Sequence, residues 1–180
     1  GFSLQYHGIR YASWEKTRAP DFVKWVGEHL PTLGDQGMMV RYGQGIGQNI
    51  VTPGDIRAEI PLPGDIPYAG TLTYSLDWQS FNRNQATAFQ TTVGVLGKES
   101  MAKAVQKFVH NDLGAGKDPK GCDTQRDSEP VLNFSYQHVR RLVQLGKFDN
   151  DWAGQMELAP GVLLGNLLTG AELVATLRGG

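Results

Sequence analysis

Apolar and polar residues alternate along most of the chain. In GTLTYSLDWQSF, residues 70–81, one side of the pattern carries leucines and aromatics, and the other carries Thr, Ser, Asp and Gln. A period of two is typical of a β-strand whose two faces meet different surroundings. The same period predicts about seven strands, near residues 1–11, 36–50, 70–81, 86–97, 131–139, 151–163 and 167–178.

The polar side of these strands consists mostly of Ser, Thr, Gln, Asn and Gly, with few lysines or glutamates. The solvated face of a soluble sandwich normally carries more charge. Uncharged polar residues are typical of the interior of a transmembrane barrel whose apolar face meets lipid. The pattern therefore predicts an all-β, antiparallel up-and-down transmembrane β-barrel. Aromatic residues near strand ends are the expected interfacial aromatics: Tyr6, Tyr11, Trp14, Trp78 and Trp152.

The connections between strands also carry information, because an up-and-down barrel places successive connections at alternate ends. The two long connections rich in reactive residues, 51–67 and 98–128, then fall at one end, which we interpret as extracellular. The connection 14–35 falls at the other end and predicts a helix with an apolar face. That helix is expected to lie at the periplasmic interface or fold under the barrel, and its apolar residues are Phe22, Val23, Val26 and Leu30.

A second helix is predicted from about residue 100 to residue 113, with Ser100 as its N-cap and Gly114 ending it. Gln106 and His110 are four residues apart and stack on a polar side of this helix. The imidazole of His110 either serves as a general base or interacts with the helix dipole near the C-terminus. The predicted apolar stripe consists of Met101, Ala104, Val105, Phe108 and Val109.

Composition sets further limits. The 180 residues suffice for one domain, expected to span 1–180. The formal net charge of −1 gives no indication of a nucleic-acid partner. A single cysteine excludes an internal disulfide, and no apolar run is long enough for a transmembrane helix. Because the chain begins with a strand pattern and stops at LRGG, we expect a piece of a longer barrel, truncated at both ends.

Five stretches resemble one known family. They are GQNIVTPGDI (47–56), GDIPYAGTL (64–72), GVLGKES (94–100), VQKFVHNDLGA (105–115) and PKGCDTQRDSEP (119–130). In order and spacing they resemble the lipid A 3'-O-deacylases of Gram-negative outer membranes, the LpxR type. The resemblance implies a monomeric 12-stranded outer-membrane barrel that depends on calcium. It also implies hydrolysis of the 3'-acyloxyacyl ester of lipid A, the acylated part of lipopolysaccharide, in the outer leaflet.

The resemblance also assigns roles to residues. The helical extracellular loop 98–128 would carry His110 as the general base that activates water, with Gln106 in the same helix. Arg57 matches a region of basic contacts, and Asp65 matches the acidic position of the D-x-PYAG segment. Gln125 belongs to the last motif and is expected to support the site.

This chain departs from the family pattern at two positions. Gly121-Cys122 replaces the Gly-Trp of many members, and Gly116 stands where some members carry an acidic residue six positions after the histidine. Asp118 or Asp123 would then have to partner His110. Cations of the extracellular loops are expected to meet the phosphates of lipid A: Arg57, Lys117, Lys120 and Arg126.

The main calcium ligands are expected on strands that precede this chain, where the family carries an Asn-Asp pair and a hydroxyl residue. The 180 residues alone are therefore expected to be inactive. Two other interpretations stay open at this point. One is an outer-membrane barrel that has lost activity and has a structural or pore role. The other is a soluble β-sandwich that binds a ligand.

Overall fold

The computed structural model describes residues 1–35, 37–55, 64–111, 127–146 and 152–179. These ranges contain one seven-stranded sheet in which each strand is hydrogen bonded to the next in chain order, all antiparallel. This order confirms the predicted all-β, up-and-down fold. The strands are β1 (Phe2–His7), β2 (Met39–Val51), β3 (Ala69–Phe81), β4 (Gln85–Leu96), β5 (Glu129–Gly146), β6 (Ala153–Gly165) and β7 (Gly170–Gly179).

The strands are long. β2, β3 and β6 have 13 residues each, β4 has 12 and β5 has 18. About 9 to 11 tilted residues cross the hydrocarbon core of a bilayer. These five strands are therefore long enough to span a membrane and to extend beyond it.

Both predicted helices are present in the described ranges: α1 (Asp21–His29) and α2 (Ala102–Asn111). A single 3-10 turn, Lys98–Ser100, precedes α2. The helix begins two residues later than expected, because Met101 adopts a left-handed conformation with φ 60° that interrupts the helical path after Ser100. Neither helix has the length and apolar character needed to cross a bilayer.

The chain divides into two compact units. The first consists of Gly1–Gln5, Gly45–Ser75 and Thr92–Leu132, and the second of Tyr6–Gln44, Leu76–Thr91 and Asn133–Gly180. The first unit contains α2 and both long connections, 52–68 and 97–128. The second contains α1 and the short turn between β3 and β4. The segments rich in reactive residues thus belong to the same unit.

Helix α1 packs against the sheet of the second unit through an apolar core. Val23 is buried, and its carbonyl oxygen accepts a hydrogen bond of 2.8 Å from Nε1 of Trp78. Trp14 Nε1 donates in the same way to the carbonyl oxygen of Leu33, also at 2.8 Å. The prediction that Trp14 and Trp78 are interfacial aromatics is wrong, because the helix and the segment around it cover both rings. The core consists of Trp14, Ala19, Val23, Leu33, Val40 and Trp78.

A chain of side-chain hydrogen bonds holds the segment that follows α1. Thr32 has φ 61°, an unfavourable conformation for a β-branched residue. Its Oγ1 lies 2.6 Å from Oγ1 of Thr87 and 2.9 Å from the hydroxyl of Tyr136. Thr87 in turn lies 2.8 Å from Nδ1 of His138. These contacts stabilise the strained residue and give His138 a structural role.

Candidate functional site

Helix α2 begins directly on strand β3 at Gly70. The amide of Gly97 donates a hydrogen bond of 2.8 Å to the carbonyl oxygen of Gly70, and Ser100 Oγ donates one of 2.6 Å to the carbonyl oxygen of Gly97. A Cβ atom at position 70 would overlap the Cβ of Ala102 and the Oγ of Ser100. Glycine is therefore needed here, because the start of the helix approaches the strand closely. This explains why the PYAG segment ends in glycine.

Gln48 on β2 fixes the same point from a neighbouring strand. Its side chain is only 3% exposed, and its Nε2 donates a hydrogen bond of 2.7 Å to the carbonyl oxygen of the buried Ser100. The other amide atom, Oε1, is buried with no hydrogen-bond partner in the described part of the chain. Sequence reasoning included Gln48 in a family-like stretch but gave it no role, because a contact across 52 residues leaves no local pattern.

The burial of α2 differs from the predicted stripe. Among the side chains of α2 that the structure describes, Ala102 and Gln106 are buried, the latter only 5% exposed. Met101 and Phe108 of the predicted apolar stripe are 60% and 55% exposed. The prediction named the stripe and did not say what covers it. A polar amide is thus buried at α2 while two large apolar side chains, Phe108 and the preceding Met101, are exposed.

His110 follows Gln106 by four residues in α2. Its side chain lies outside the described part of the structure, so its predicted role as a base stays a prediction. Apart from Asp65, the predicted supporting residues in the loops fall outside the described ranges too, together with the predicted end of the helix and the positions at which the chain departs from the family pattern. These residues are Arg57, Gly114, Gly116, Lys117, Asp118, Lys120, Gly121, Cys122, Asp123, Gln125 and Arg126.

Asp65 closes the connection between β2 and β3. Its Oδ2 accepts a hydrogen bond of 2.9 Å from the amide of Gly54, and its Oδ1 accepts one of 2.8 Å from the amide of Ile66. Both carboxylate oxygens thus bind backbone amides of the loop. Tyr68 of the same motif is fully buried. In the first unit, the D-x-PYAG segment thus fixes the shape of this connection, and its last residue, Gly70, contacts the start of α2.

The two ends of the connection that contains α2 meet. Nζ of Lys98 lies 3.2 Å from Oδ1 of Asp127, and the amide of Glu99 donates a hydrogen bond of 3.1 Å to Oγ of Ser128. The ion pair is exposed and contributes little by itself. Together the two contacts join the residues where the connection leaves β4 and returns to β5.

The described residues do not assemble a calcium site. They contain no group of three or more His, Cys, Asp or Glu side chains that could hold a metal ion. Calcium needs six to eight oxygen ligands, usually with several carboxylates. Asp65 has both oxygens hydrogen bonded to the loop, and Oε1 of Gln48 is one neutral oxygen. The predicted calcium ion therefore has no ligand set among these residues.

The antiparallel up-and-down sheet with long strands is the fold of an outer-membrane β-barrel protein, and the family of the chain makes this class specific. A profile of the family described as "Outer membrane protein LpxR" matches residues 1–180, so the chain belongs to that family. This confirms the resemblance noted in the sequence and the outer-membrane location.

A solved structure supports the same fold. The chain is similar to "LpxR from Salmonella typhimurium", with a TM-score of 0.67 and 17% sequence identity. The match covers 99% of this chain and 64% of the Salmonella chain. The chain therefore spans about two thirds of the length of the protein it resembles. Among curated proteins, none matches the sequence.

Proposed function

We propose that the protein to which this chain belongs hydrolyses the 3'-acyloxyacyl ester of lipid A in the outer leaflet of the outer membrane. One observation in this structure carries the proposal beyond family membership. Helix α2 buries the amide of Gln106, while Phe108 of the helix and Met101 directly before it are exposed. A helix of this polarity presents apolar side chains to the acyl chains of a lipid and keeps polar groups on its inner side, where ester chemistry needs them.

In the proposed reaction His110 accepts a proton from water as the water oxygen attacks the ester carbonyl carbon. The bond between that carbon and the 3'-oxygen of the sugar then breaks, and the proton passes from the imidazole to the sugar oxygen. The products are a free fatty acid and a sugar hydroxyl. A positioned base of this kind contributes about 10² to 10⁴-fold in rate. Gln106, one helical turn earlier, is proposed to orient the water or the ester.

The described residues of β2 and β3 hold the start of the helix that carries His110. Gln48 and Gly70 hold the start of α2 from two adjacent strands. A displacement of about 1 Å in a reacting group costs on the order of 10²-fold in rate, so these contacts matter even without touching substrate. We assign Gln48 and Gly70 as positioning residues and keep the catalytic role for His110.

The loop residues complete the proposal. Arg57 and Lys117 would bind lipid A phosphates, and Asp118 or Asp123 would orient His110. Asp65 and Gln125 would support the site. A bound calcium ion would polarise the ester carbonyl. Because the described residues do not form its site, its ligands would have to come from elsewhere, and no step above depends on it.

The decisive test replaces His110 by Ala in the full-length protein, with His29→Ala as a matched control. His29 lies on α1, where its Nδ1 is 2.8 Å from the carbonyl oxygen of Trp25. Lipid A is recovered from outer membranes and its acylation followed by mass spectrometry. We expect loss of 3'-deacylation in the first variant and wild-type activity in the second.

Unchanged 3'-deacylation in the His110→Ala variant would exclude this residue as the base. A wild-type protein that inserts in the membrane and leaves lipid A intact would instead favour a barrel with a structural or pore role. The metal is tested separately with an excess of calcium chelator, which is expected to abolish turnover until calcium is restored. Full turnover in the chelator would remove calcium from the proposal.

A further inference from the structure

The second compact unit holds two guanidinium groups around one phenyl ring. Cζ of Arg10 lies 5.2 Å from the ring centroid of Phe81, and Cζ of Arg41 lies 5.7 Å from it. Both distances are within the range of cation–π contacts. The two positive charges are consequently no more than about 11 Å apart. Arginine stays protonated at any physiological pH, so neither charge is lost by titration.

Neither arginine is paired with a carboxylate. Among the ion pairs of the described residues, none involves Arg10 or Arg41. Asp77, two residues before Gln79 on β3, accepts a hydrogen bond of 2.5 Å from Nε2 of Gln90. On β7, Glu172 accepts one of 2.9 Å from Nε2 of Gln137. Within the described ranges, both guanidinium groups are therefore without a carboxylate at ion-pair distance.

A cavity of about 340 Å³ adjoins this pair. Arg10, Arg41, Gln79 and Phe81 contribute to its wall, and the short side chains of Ala86 and Ala88 leave room opposite the ring. A phosphate group and the small organic group to which it is esterified fit in a space of this size. All residues of the cavity wall belong to the second unit, and none of them contacts the start of α2.

The polar atoms offered to this cavity are mainly donors. Nε of Arg41 donates a hydrogen bond of 2.7 Å to Oε1 of Gln79, which fixes the guanidinium plane and leaves its Nη groups available. In the described ranges, Arg10 donates no hydrogen bond and the amide nitrogen of Gln79 has no acceptor. Planar guanidinium groups bind the oxygens of phosphate in a bidentate manner. An oxyanion can accept hydrogen bonds from these donors, whereas a cation cannot.

We propose that Arg10 and Arg41 form a phosphate-binding site, with Phe81 holding both guanidinium groups in place. The phosphate comes either as the free ion or as the headgroup of an anionic phospholipid. The site is independent of the ester hydrolysis proposed above, since none of its residues belongs to α2 or to the connections of the first unit.

The test uses the full-length protein purified in an uncharged, phosphate-free detergent. Inorganic phosphate is titrated calorimetrically into the wild-type protein and into the Arg10→Gln, Arg41→Gln and Arg83→Gln variants. Arg83 lies exposed in the turn between β3 and β4, so its variant removes one positive charge elsewhere. We expect one saturable site that weakens at least tenfold in the first two variants and keeps wild-type affinity in the third.

The source of the phosphate is resolved in lipid nanodiscs. Native mass spectrometry counts the phosphatidylglycerol molecules that remain bound when the protein leaves the disc, with phosphatidylcholine discs for comparison. Retention of one phosphatidylglycerol by the wild-type protein and not by the Arg41→Gln variant would assign the site to a headgroup. Binding of inorganic phosphate without retained lipid would assign it to the free ion.

Three outcomes would overturn the proposal. They are the absence of saturable binding of either probe, equal binding by the wild-type protein and the arginine variants, and an equal loss in the Arg83→Gln variant. The Arg41→Lys variant guards against misfolding, because it keeps the charge and loses the bidentate fork. It is expected to run as a folded barrel in unheated gels and to bind phosphate more weakly than the wild-type protein.

Discussion

Helices α1 and α2 are similar in length and both interrupt the strand pattern, yet they use their faces in opposite ways. Helix α1 turns Val23 inward, onto a core that includes Trp78. Helix α2 buries Gln106 and leaves Phe108 exposed, together with Met101 directly before it. The first helix packs like a helix of a soluble protein, where apolar burial supplies the stability. The second buries a polar amide among its described side chains.

The contacts around the two helices have different consequences. Around α1, two indole groups donate hydrogen bonds to backbone carbonyl oxygens, and these contacts stabilise a core. Around α2, the contacts are an amide from β2 and a glycine in β3, which set the position of the helix and bury little apolar surface. Substitutions in the two regions should therefore affect different quantities: stability in the first and rate in the second.

The largest expected effect on stability comes from Trp14→Ala. The indole is 2% exposed and packs against Gly27 of α1, so its removal is expected to cost about 3–5 kcal/mol of unfolding free energy. The control is Trp25→Ala, at a tryptophan of α1 that is 61% exposed. Urea unfolding in detergent, followed by the shift between folded and unfolded bands in unheated gels, measures both. Equal losses in the two variants would contradict the core assigned to α1.

A smaller effect on stability and a larger one on rate are expected for Gly70→Ala. The new methyl group would overlap Ala102 and Ser100, and such overpacking costs about 1–3 kcal/mol. The shifted helix should lower the rate of lipid A deacylation on the order of 10²-fold. Gly170→Ala is the control, because nothing lies within 4 Å of the Cβ it adds. A Gly70→Ala protein with wild-type rate would show that α2 is not positioned at this strand.

The smallest effect on stability is expected for Gln48→Leu. The change leaves the buried carbonyl oxygen of Ser100 without its donor, which costs about 1–3 kcal/mol, and it also removes the unpaired Oε1, which offsets much of that cost. The turnover number should fall several-fold with little change in KM. Gln48→Asn, which retains an amide, should recover part of the rate. Gln5→Leu, at an exposed position of β1, is the control. A loss confined to stability would assign Gln48 a structural role only.

The strands could be predicted because their signal is local. Residues 70–81 were predicted as a strand and β3 runs Ala69–Phe81, since the period of two comes from the backbone of each strand alone. Strand β5 was predicted to end at 139 but continues to Gly146. Its extension carries Arg141, which pairs across the sheet with Glu157. A partner on another strand makes the charged residue acceptable there, and no pattern within one strand shows it.

The site was less accessible to sequence reasoning. A helical period locates the apolar side of α2, but it does not say whether protein or lipid meets that side. The predicted stripe therefore named Met101 and Phe108 without their surroundings. Gln48 and Gly70 act through contacts with Ser100 and Ala102 on a distant segment, so their roles became visible only when the strands and the helix came together.

The junction of Lys98 with Asp127 and of Glu99 with Ser128 has a consequence for how this protein can vary. Because the two ends of the connection are held together, the length and sequence between them can change while the ends stay in place. The entropy of closing such a loop grows only with the logarithm of its length. Exchanging residues 103–126 between relatives would keep the contacts of Ser100 and Ala102 with β2 and β3, so we expect it to replace the segment that carries His110 without disturbing the strands.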